Sequence, residues 1–285
     1  MIVSAPASSA NLGPGFDALA IAVDLPFRLA VAESAPDGFH SAEPTHPAVV
    51  AFRAAGGDPA VELRWHSPIP PGRGLGFSGA ARVAGAYLAG RRAGTAHETA
   101  CARATEIAID LEGHAENAAA SAHGGFVVAA AGRVVRLDLP DDVQLMVWSP
   151  AAATSTDASR RSLPTRVSLD DAAFSVGRAA LWVAAVAAGD LGALREACED
   201  RLHQDLRLQA RPDSATVRRE LMDRSDVLAA WLSGSGPSVA ALVPRDVAPI
   251  VAAGLPGDGM VRVLDVASVG VAVSRVTNGG VADAT

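Results

Sequence analysis

The 285-residue sequence fits an α+β fold in two parts, and two observations carry that reading. Short apolar strands separated by turn residues crowd the first half, and long helical patterns take over after Pro150. No repeat period or low-complexity linker appears. The expected division, 1–150 and 151–285, therefore rests on Pro150 and the change of pattern.

Ile2 to Ala5 reads as a strand, followed by a turn-rich stretch from Ala7 to Asp17. Strands at Ala18–Val23 and Phe27–Val31 are separated by Asp24-Leu25-Pro26, and residues 34 to 47 read as loop. Ala48–Ala55 is helical and stops at Gly56-Gly57, and Val61–His66 alternates as a strand. Helices follow at Gly79–Arg92 and Thr99–Asp110, the second with Ala102, Ile107 and Leu111 at core-like spacing. A hairpin is expected around Gly132-Arg133, between Gly124–Ala131 and Val134–Leu139, and then a strand at Val143–Trp148. Asp170–Ala188, Leu191–Arg207 and Asp213–Arg224 read as helices. Strands Ala229–Leu232 and Val239–Val243 flank a Ser/Gly loop. A helix at Val247–Ala253 and strands at Met260–Val266 and Gly270–Arg275 complete the pattern.

The 24 basic residues are all Arg. Without Lys, Schiff-base chemistry, pyridoxal-phosphate attachment, Ser–Lys hydrolysis and a Walker A loop are excluded. Any anion must be held by Arg, backbone N–H groups, helix dipoles or a metal. A hydrophobic fraction of 49%, charged fraction of 19% and net charge of −7 describe a folded, acidic chain. They argue against nucleic-acid and anionic-membrane partners. Cys101 and Cys198 sit inside helical patterns, which favours buried thiols in a reducing compartment, hence the cytoplasm. The Met-Ile-Val-Ser-Ala-Pro start has no charged n-region, so no signal peptide is expected.

Four segments could carry chemistry. Pro70-Pro71-Gly72-Arg73-Gly74-Leu75-Gly76-Phe77-Ser78-Gly79-Ala80 runs alternating glycines straight into a helix. That arrangement turns backbone N–H groups and a helix N-terminus towards an anion, with Ser78 as cap, metal ligand or phosphate contact. An ordinary capped Gly-rich turn has the same sequence. Glu112-Gly113-His114-Ala115-Glu116-Asn117 gathers carboxylate, imidazole and amide groups suited to a hard cation or simply to a solvated helix end. Ser233-Gly234-Ser235-Gly236-Pro237-Ser238 is a polar loop between apolar strands. Arg160 and, far downstream, Arg207 could clamp a carboxylate bidentately, although helix-surface Arg is commoner.

Taken in order, these segments resemble the GHMP kinases, and most of all their homoserine-kinase branch. Ala5 to Asp17 is similar to that branch's opening, and Pro70 to Ala81 to its phosphate loop, Pro-x-x-x-Gly-Leu-Gly-Ser-Ser-Ala-Ala. Glu112 to Asn117 resembles Glu-Gly-His-Pro-Asp-Asn, Ser155 to Pro164 resembles Ser-Thr-x-x-x-Arg-x-x-Leu-Pro, and Ser233 to Ser238 the third family motif. The mevalonate-kinase branch opens with Pro-Gly-Lys, whereas this chain has Pro6-Ala7-Ser8. The resemblance implies a domain like ribosomal protein S5 domain 2 followed by a ferredoxin-like domain. It also implies ATP and Mg2+ as cofactors and phosphorylation of the homoserine hydroxyl, in a family that often forms homodimers. Other small hydroxy acids or amino acids (threonine, serine, pantoate) and a silent binding protein are the alternatives.

By that resemblance Pro70, Gly72, Arg73, Gly74, Leu75, Gly76, Phe77, Ser78, Gly79 and Ala80 wrap the nucleotide, with Gly234, Ser235 and Gly236 as buttress. Ser78 and Glu112 hold the metal. Asn11, Asp17, His114 and Asn117 surround the substrate amine and hydroxyl, and Thr156, Arg160 and Arg207 bind its carboxylate. Asn11, Asp17, Asn117 and Glu112 form the catalytic set. Three positions depart from the family pattern. Phe77 replaces the first Ser of the loop, Gly79 replaces the Ala, and Glu116 replaces the Asp before Asn117. The loop changes bear on nucleotide affinity more than on substrate identity, and the expectation is that the chain still binds ATP, with weaker binding left open.

Overall fold

A computed structural model describes residues 1–154, 156–277 and 280–282. The first part contains β1 (Ile2–Ala10), β2 (Leu19–Val31), β3 (His40–Ser41), α1 (Pro47–Ala54) and β4 (Leu63–His66). There follow α2 (Phe77–Arg92), α3 (His97–Glu112), α4 (Glu116–His123) and the hairpin β5 (Phe126–Ala130) and β6 (Arg133–Leu137). Next come β7 (Val143–Pro150), α5 (Thr156–Arg161), α6 (Leu169–Ala188), α7 (Leu194–Ala197), α8 (Gln204–Gln209) and α9 (Pro212–Asp223). The chain ends with β8 (Ala229–Leu232), β9 (Val239–Pro244), α10 (Ala248–Ala253), β10 (Gly259–Leu264), β11 (Ala272–Thr277) and β12 (Gly280–Ala282).

The first sheet runs β12-β11-β1-β2-β4-β3, with β5 and β6 branching from β2. The second runs β10-β7-β9-β8, antiparallel throughout. Its βαββαβ order is that of a ferredoxin-like unit, as the resemblance implied. The two sheets do not divide at residue 150. β7 joins the second sheet before that point, and β11 returns from the C-terminal end to pair with β1.

Four local expectations change, the first being that Ala7–Ala10, read as turn, continue β1 in register with β2. The interruption at Asp24-Leu25-Pro26 lies inside one 13-residue strand, where Pro26 faces Pro6 and the register shifts between Pro6 and Ala7. Neither proline donates to the ladder, so a bulge absorbs the pair without ending the strand. Leu191–Arg207 is not one helix. Asp200 accepts backbone N–H bonds from Leu202, His203 and Gln204 at 2.8–2.9 Å, which ends one helical run and starts α8. On α3 the buried face is Ala100, Cys101, Ala104, Thr105 and Ala108, whereas Leu111 is exposed.

Period-two alternation builds the second unit. Leu145 and Val147 of β7 join the core shared with the first sheet, while Met146 and Trp148 face a separate core under α9 and α10. Trp182 of α6 stacks on Phe126 and meets Trp231 edge-on, which ties the units together. α6 is the one helix among the described residues long and apolar enough to cross a membrane. Asp170, Asp171 and Arg178 interrupt it, and its Trp182, Ala185 and Val186 are core residues.

α2 and α4 lie on β1 and β2, and α2 is built of Ala and Gly because it is crowded. A Cβ at Gly85 would lie 2.0 Å from the Ala48 carbonyl of α1. This close packing fixes the N-terminal end of α2, which opens the site.

Candidate active site

A cavity of about 440 Å3 lies where the Gly-rich loop, the α3–α4 junction, α5 and the Ser233–Ser238 loop meet. Its floor begins at β1, where the chain leaves the sheet in left-handed conformations at Asn11 (φ 72°), Leu12 (φ 48°) and Asp17 (φ 58°). Such backbone strain in residues with side chains is held by surrounding contacts. Asn11 Nδ2 donates to the Gly234 carbonyl at 3.0 Å, and its Oδ1 accepts from the Asp17 amide at 3.1 Å.

The Gly-rich loop is held from the second sheet. Trp231 Nε1 donates to Ser9 Oγ at 3.0 Å, Ser9 and Ser233 hydroxyls lie 2.8 Å apart, and Ser233 Oγ donates to the Gly74 carbonyl at 2.6 Å. An indole only donates and a carbonyl only accepts, so every proton in this chain points towards the loop. The loop approaches so closely that a Cβ at Gly74 would sit 2.1 Å from the Ser233 carbonyl oxygen. Gly76, at φ 67°, caps α2, and the first N–H groups of this 16-residue helix have no acceptor within it. They face the cavity with the positive end of the helix dipole.

Phe77 does not disrupt this geometry. Its ring packs edge-on against Phe27, Trp65 and His46 at 5.6–6.0 Å, so the aromatic side chain anchors the helix start on the sheet. Gly79 makes no room for that ring. It abuts α4, where a Cβ would lie 3.2 Å from the Asn117 Cβ. Both residues are accommodated in packing that leaves the loop in contact with Ser233.

At the α3–α4 junction Asn117 is fixed at both ends of its amide. Its Oδ1 accepts from Ser8 Oγ at 2.9 Å and its Nδ2 donates to Glu116 Oε1 at 2.7 Å. Glu116 is buried, and its Oε2 has no hydrogen-bond partner. His114 Nδ1 lies 3.1 Å from Glu116 Oε1. Burial opposes the imidazolium, but contact with Glu116 and the charges of Glu116, Glu112 and Asp17 leave the His114 pKa above its ordinary value. Arg82 Nη1 donates to both Ser78 Oγ and Glu112 Oε1.

At the far end Arg160 forms a bidentate pair with Asp17, at 2.7 and 2.8 Å. Arg160 and Arg207 flank the Phe16 ring with guanidinium carbons 5.2 and 5.3 Å from its centroid. Arg207 is buried, with Nη1 3.2 Å from the Gly234 carbonyl and from His203 Nδ1, and with Nε unpartnered. Burial and the neighbouring Arg160 lower its pKa to about 10, so it stays charged at neutral pH. His203 Nε2 lies 2.7 Å from the Gly13 carbonyl. The carbonyl requires Nε2–H and Arg207 requires an accepting Nδ1, so this network assigns a neutral imidazole.

Burial pushes the His203 pKa down to about 4. Between pH 6.5 and 4 the unfolded chain therefore takes up a proton that the folded one refuses, and stability falls as pH falls. Asp200, whose pKa is also lowered, acts in the same direction. Thermal unfolding from pH 7 to 4.5 should show a loss of roughly 2–3 kcal/mol, with a shallower slope in His203→Gln. An identical slope in that variant contradicts the assignment.

The structure thus gathers Asn11, Asp17, the 74–79 loop, Glu112, His114, Asn117, Arg160, Arg207, Gly234 and Ser235 around one cavity. Three expected nucleotide contacts do not line it. Arg73 donates to the carbonyls of Pro150 and Ala151, Ala80 is buried inside α2, and a Cβ at Gly236 would meet Leu232. Ser155 lies outside the described residues, and so does the side chain of Thr156. Arg82, Phe16, Glu116, Ser8 and His203 belong to the site although sequence reasoning did not assign them. Arg82 was signalled by its i+4 spacing from Ser78, and Phe16 and Ser8 by the opening motif.

Residues 45–125 match the family described as GHMP kinases N terminal domain, and residues 182–259 match GHMP kinases C terminal. The chain is 37% identical over 262 residues to the homoserine kinase of Thermus thermophilus, covering 87% of this chain and 89% of that one. It is 39% identical over 258 residues to the homoserine kinase of Moorella thermoacetica, covering 84% and 86%. The crystal structure of homoserine kinase from Cytophaga hutchinsonii shares the fold, with a TM-score of 0.80 at 23% identity over 95% of this chain and 96% of that one. With both family domains matched and these relatives at 37% and 39% identity over most of the chain, the chain belongs to the GHMP kinase family.

Proposed function

We propose that this protein phosphorylates the side-chain hydroxyl of L-homoserine with ATP, as a cytoplasmic enzyme of threonine biosynthesis. The observation that carries the substrate is the end of the cavity where Asp17, Arg160 and Arg207 gather around Phe16. Asp17 and Arg160 are 30% and 41% exposed, so their pair is worth only about 0.2–1 kcal/mol. A zwitterionic substrate exchanges that pair at little cost, its ammonium taking Asp17 and its carboxylate taking Arg160 and Arg207. Thr156 is the further expected carboxylate contact. A hydroxy acid without an amine would leave Asp17 unmatched.

At the other end, the N–H groups of the loop and of the first turn of α2 receive the phosphates. Ser78 and Glu112 supply two hard oxygen donors that converge on one cationic nitrogen, which fits a Mg2+ otherwise completed by phosphate and water. Bound there, Mg2+ would neutralise charge on the transferred phosphoryl group. Asn11, His114 and Asn117 orient the hydroxyl for in-line attack. Asp17 engages charge with both oxygens, so no strong base is assigned. Positioning and electrostatic stabilisation carry the step. The hydroxyl proton leaves through phosphate or water. The family resemblance also points to a homodimer.

A coupled ADP-release assay across homoserine, threonine, serine, pantoate and mevalonate tests this. Turnover should be highest with homoserine. Turnover with pantoate alone sinks the substrate assignment, and none with any of the five sinks the kinase reading.

A further inference from the structure

Arg82 stands one helical turn beyond Ser78 on α2, on a face that looks across to the end of α3. Its Nη1 donates at once to Ser78 Oγ and Glu112 Oε1, the pair assigned above to the metal. The Arg82 side chain is 22% exposed, so the guanidinium has a path into the cavity, whereas Glu112 is 4% exposed and stays in place. Arg82 Nε is buried without a hydrogen-bond partner, so that nitrogen does not anchor the group. Among the described residues three arginines line the cavity, and Arg160 and Arg207 belong to the Phe16 end. Arg82 is the arginine of the phosphate end, in a chain with no Lys to share that duty.

We propose that Arg82 is an internal stand-in for the metal, holding the Ser78–Glu112 pair until the divalent cation displaces its guanidinium onto the nucleotide phosphates. The idea rests on the Ser78–Glu112 metal assignment. Two cations do not share one pair of oxygens, so the arrival of one expels the other. The nearest new anion is the phosphate chain, whose oxygens match the fork of a guanidinium. Arg82 thereby neutralises Glu112 in the empty site and phosphate charge in the filled one.

The test uses the full chain with Arg82→Leu and Arg82→Gln, both good helix formers that preserve α2. Mn2+ binding without nucleotide is followed by electron paramagnetic resonance, and ADP binding with chelator present by calorimetry. In both variants the Mn2+ dissociation constant should fall about tenfold, and that of metal-free ADP should rise about tenfold. A merely structural role would weaken both ligands together. Unchanged or weaker Mn2+ binding in both variants, with wild type binding measurably, overturns the proposal alone. If Mn2+ binds neither wild type nor variants, the Ser78–Glu112 metal assignment falls and takes the proposal with it.

Discussion

Gly74→Ala should remove measurable ATP binding while the protein stays folded. The residue sits at φ 74°, where an L side chain costs about 1–2 kcal/mol, and the added Cβ would stand 2.1 Å from the Ser233 carbonyl oxygen. That neighbour is backbone and cannot rotate away, so the loop must retreat from β8 and break the Ser233–Gly74 bond that ends the Trp231–Ser9–Ser233 chain. A displacement of about 1 Å in phosphate-positioning groups is enough for a loss of about 100-fold in kcat/KM. Calorimetric titration of ADP with Mg2+, alongside thermal unfolding, checks this. Wild-type affinity in the variant would mean that the loop does not hold phosphate.

Arg160→Ala and Arg207→Ala should each raise the KM for homoserine by about 10- to 100-fold while the KM for ATP stays within about twofold. The loss corresponds to charge-assisted bonds worth about 1.5–3 kcal/mol. The two variants should differ in stability. Arg160 is half-exposed, so its removal leaves the unfolding midpoint nearly unchanged. Arg207 is buried beside His203 and the Gly234 carbonyl, and truncating it leaves a void and His203 Nδ1 without its donor, while the Gly234 carbonyl keeps Asn11 Nδ2. A lower unfolding midpoint should therefore accompany its KM effect. Unaltered homoserine KM in both variants would show that the clamp is elsewhere.

These residues also show what the sequence discloses. The Gly-rich loop was legible because alternating glycines before a small-residue helix are a local pattern, and the phosphate role proposed for it needs only its own backbone. The Asp17–Arg160 pair was not legible as a pair, since residues 143 positions apart meet only through the fold. The setting of Phe77 was hidden for a similar reason. As a string it puts a ring where the family has a hydroxyl, and in space its neighbours are Phe27 of β2, Trp65 of β4 and His46 before α1. The break expected at Pro26 failed on tertiary grounds, whereas the single helix expected over Leu191–Arg207 failed on a local cap that the helical pattern masked. A partner strand carries a matching proline in the first case, and a buried carboxylate captures three amides in the second. Local chemistry was readable, whereas the tethers that aim it came from distant residues.

On the function proposed above, the cavity selects a hydroxyl carried by a zwitterion. Comparing kcat/KM for L-homoserine with that for 4-hydroxybutanoate, which keeps carboxylate and hydroxyl but lacks the ammonium, tests it most directly. A drop of at least about 100-fold is expected, because the analogue engages Arg160 and leaves the Asp17 carboxylate without a cation. Equal kcat/KM for the two compounds would contradict it.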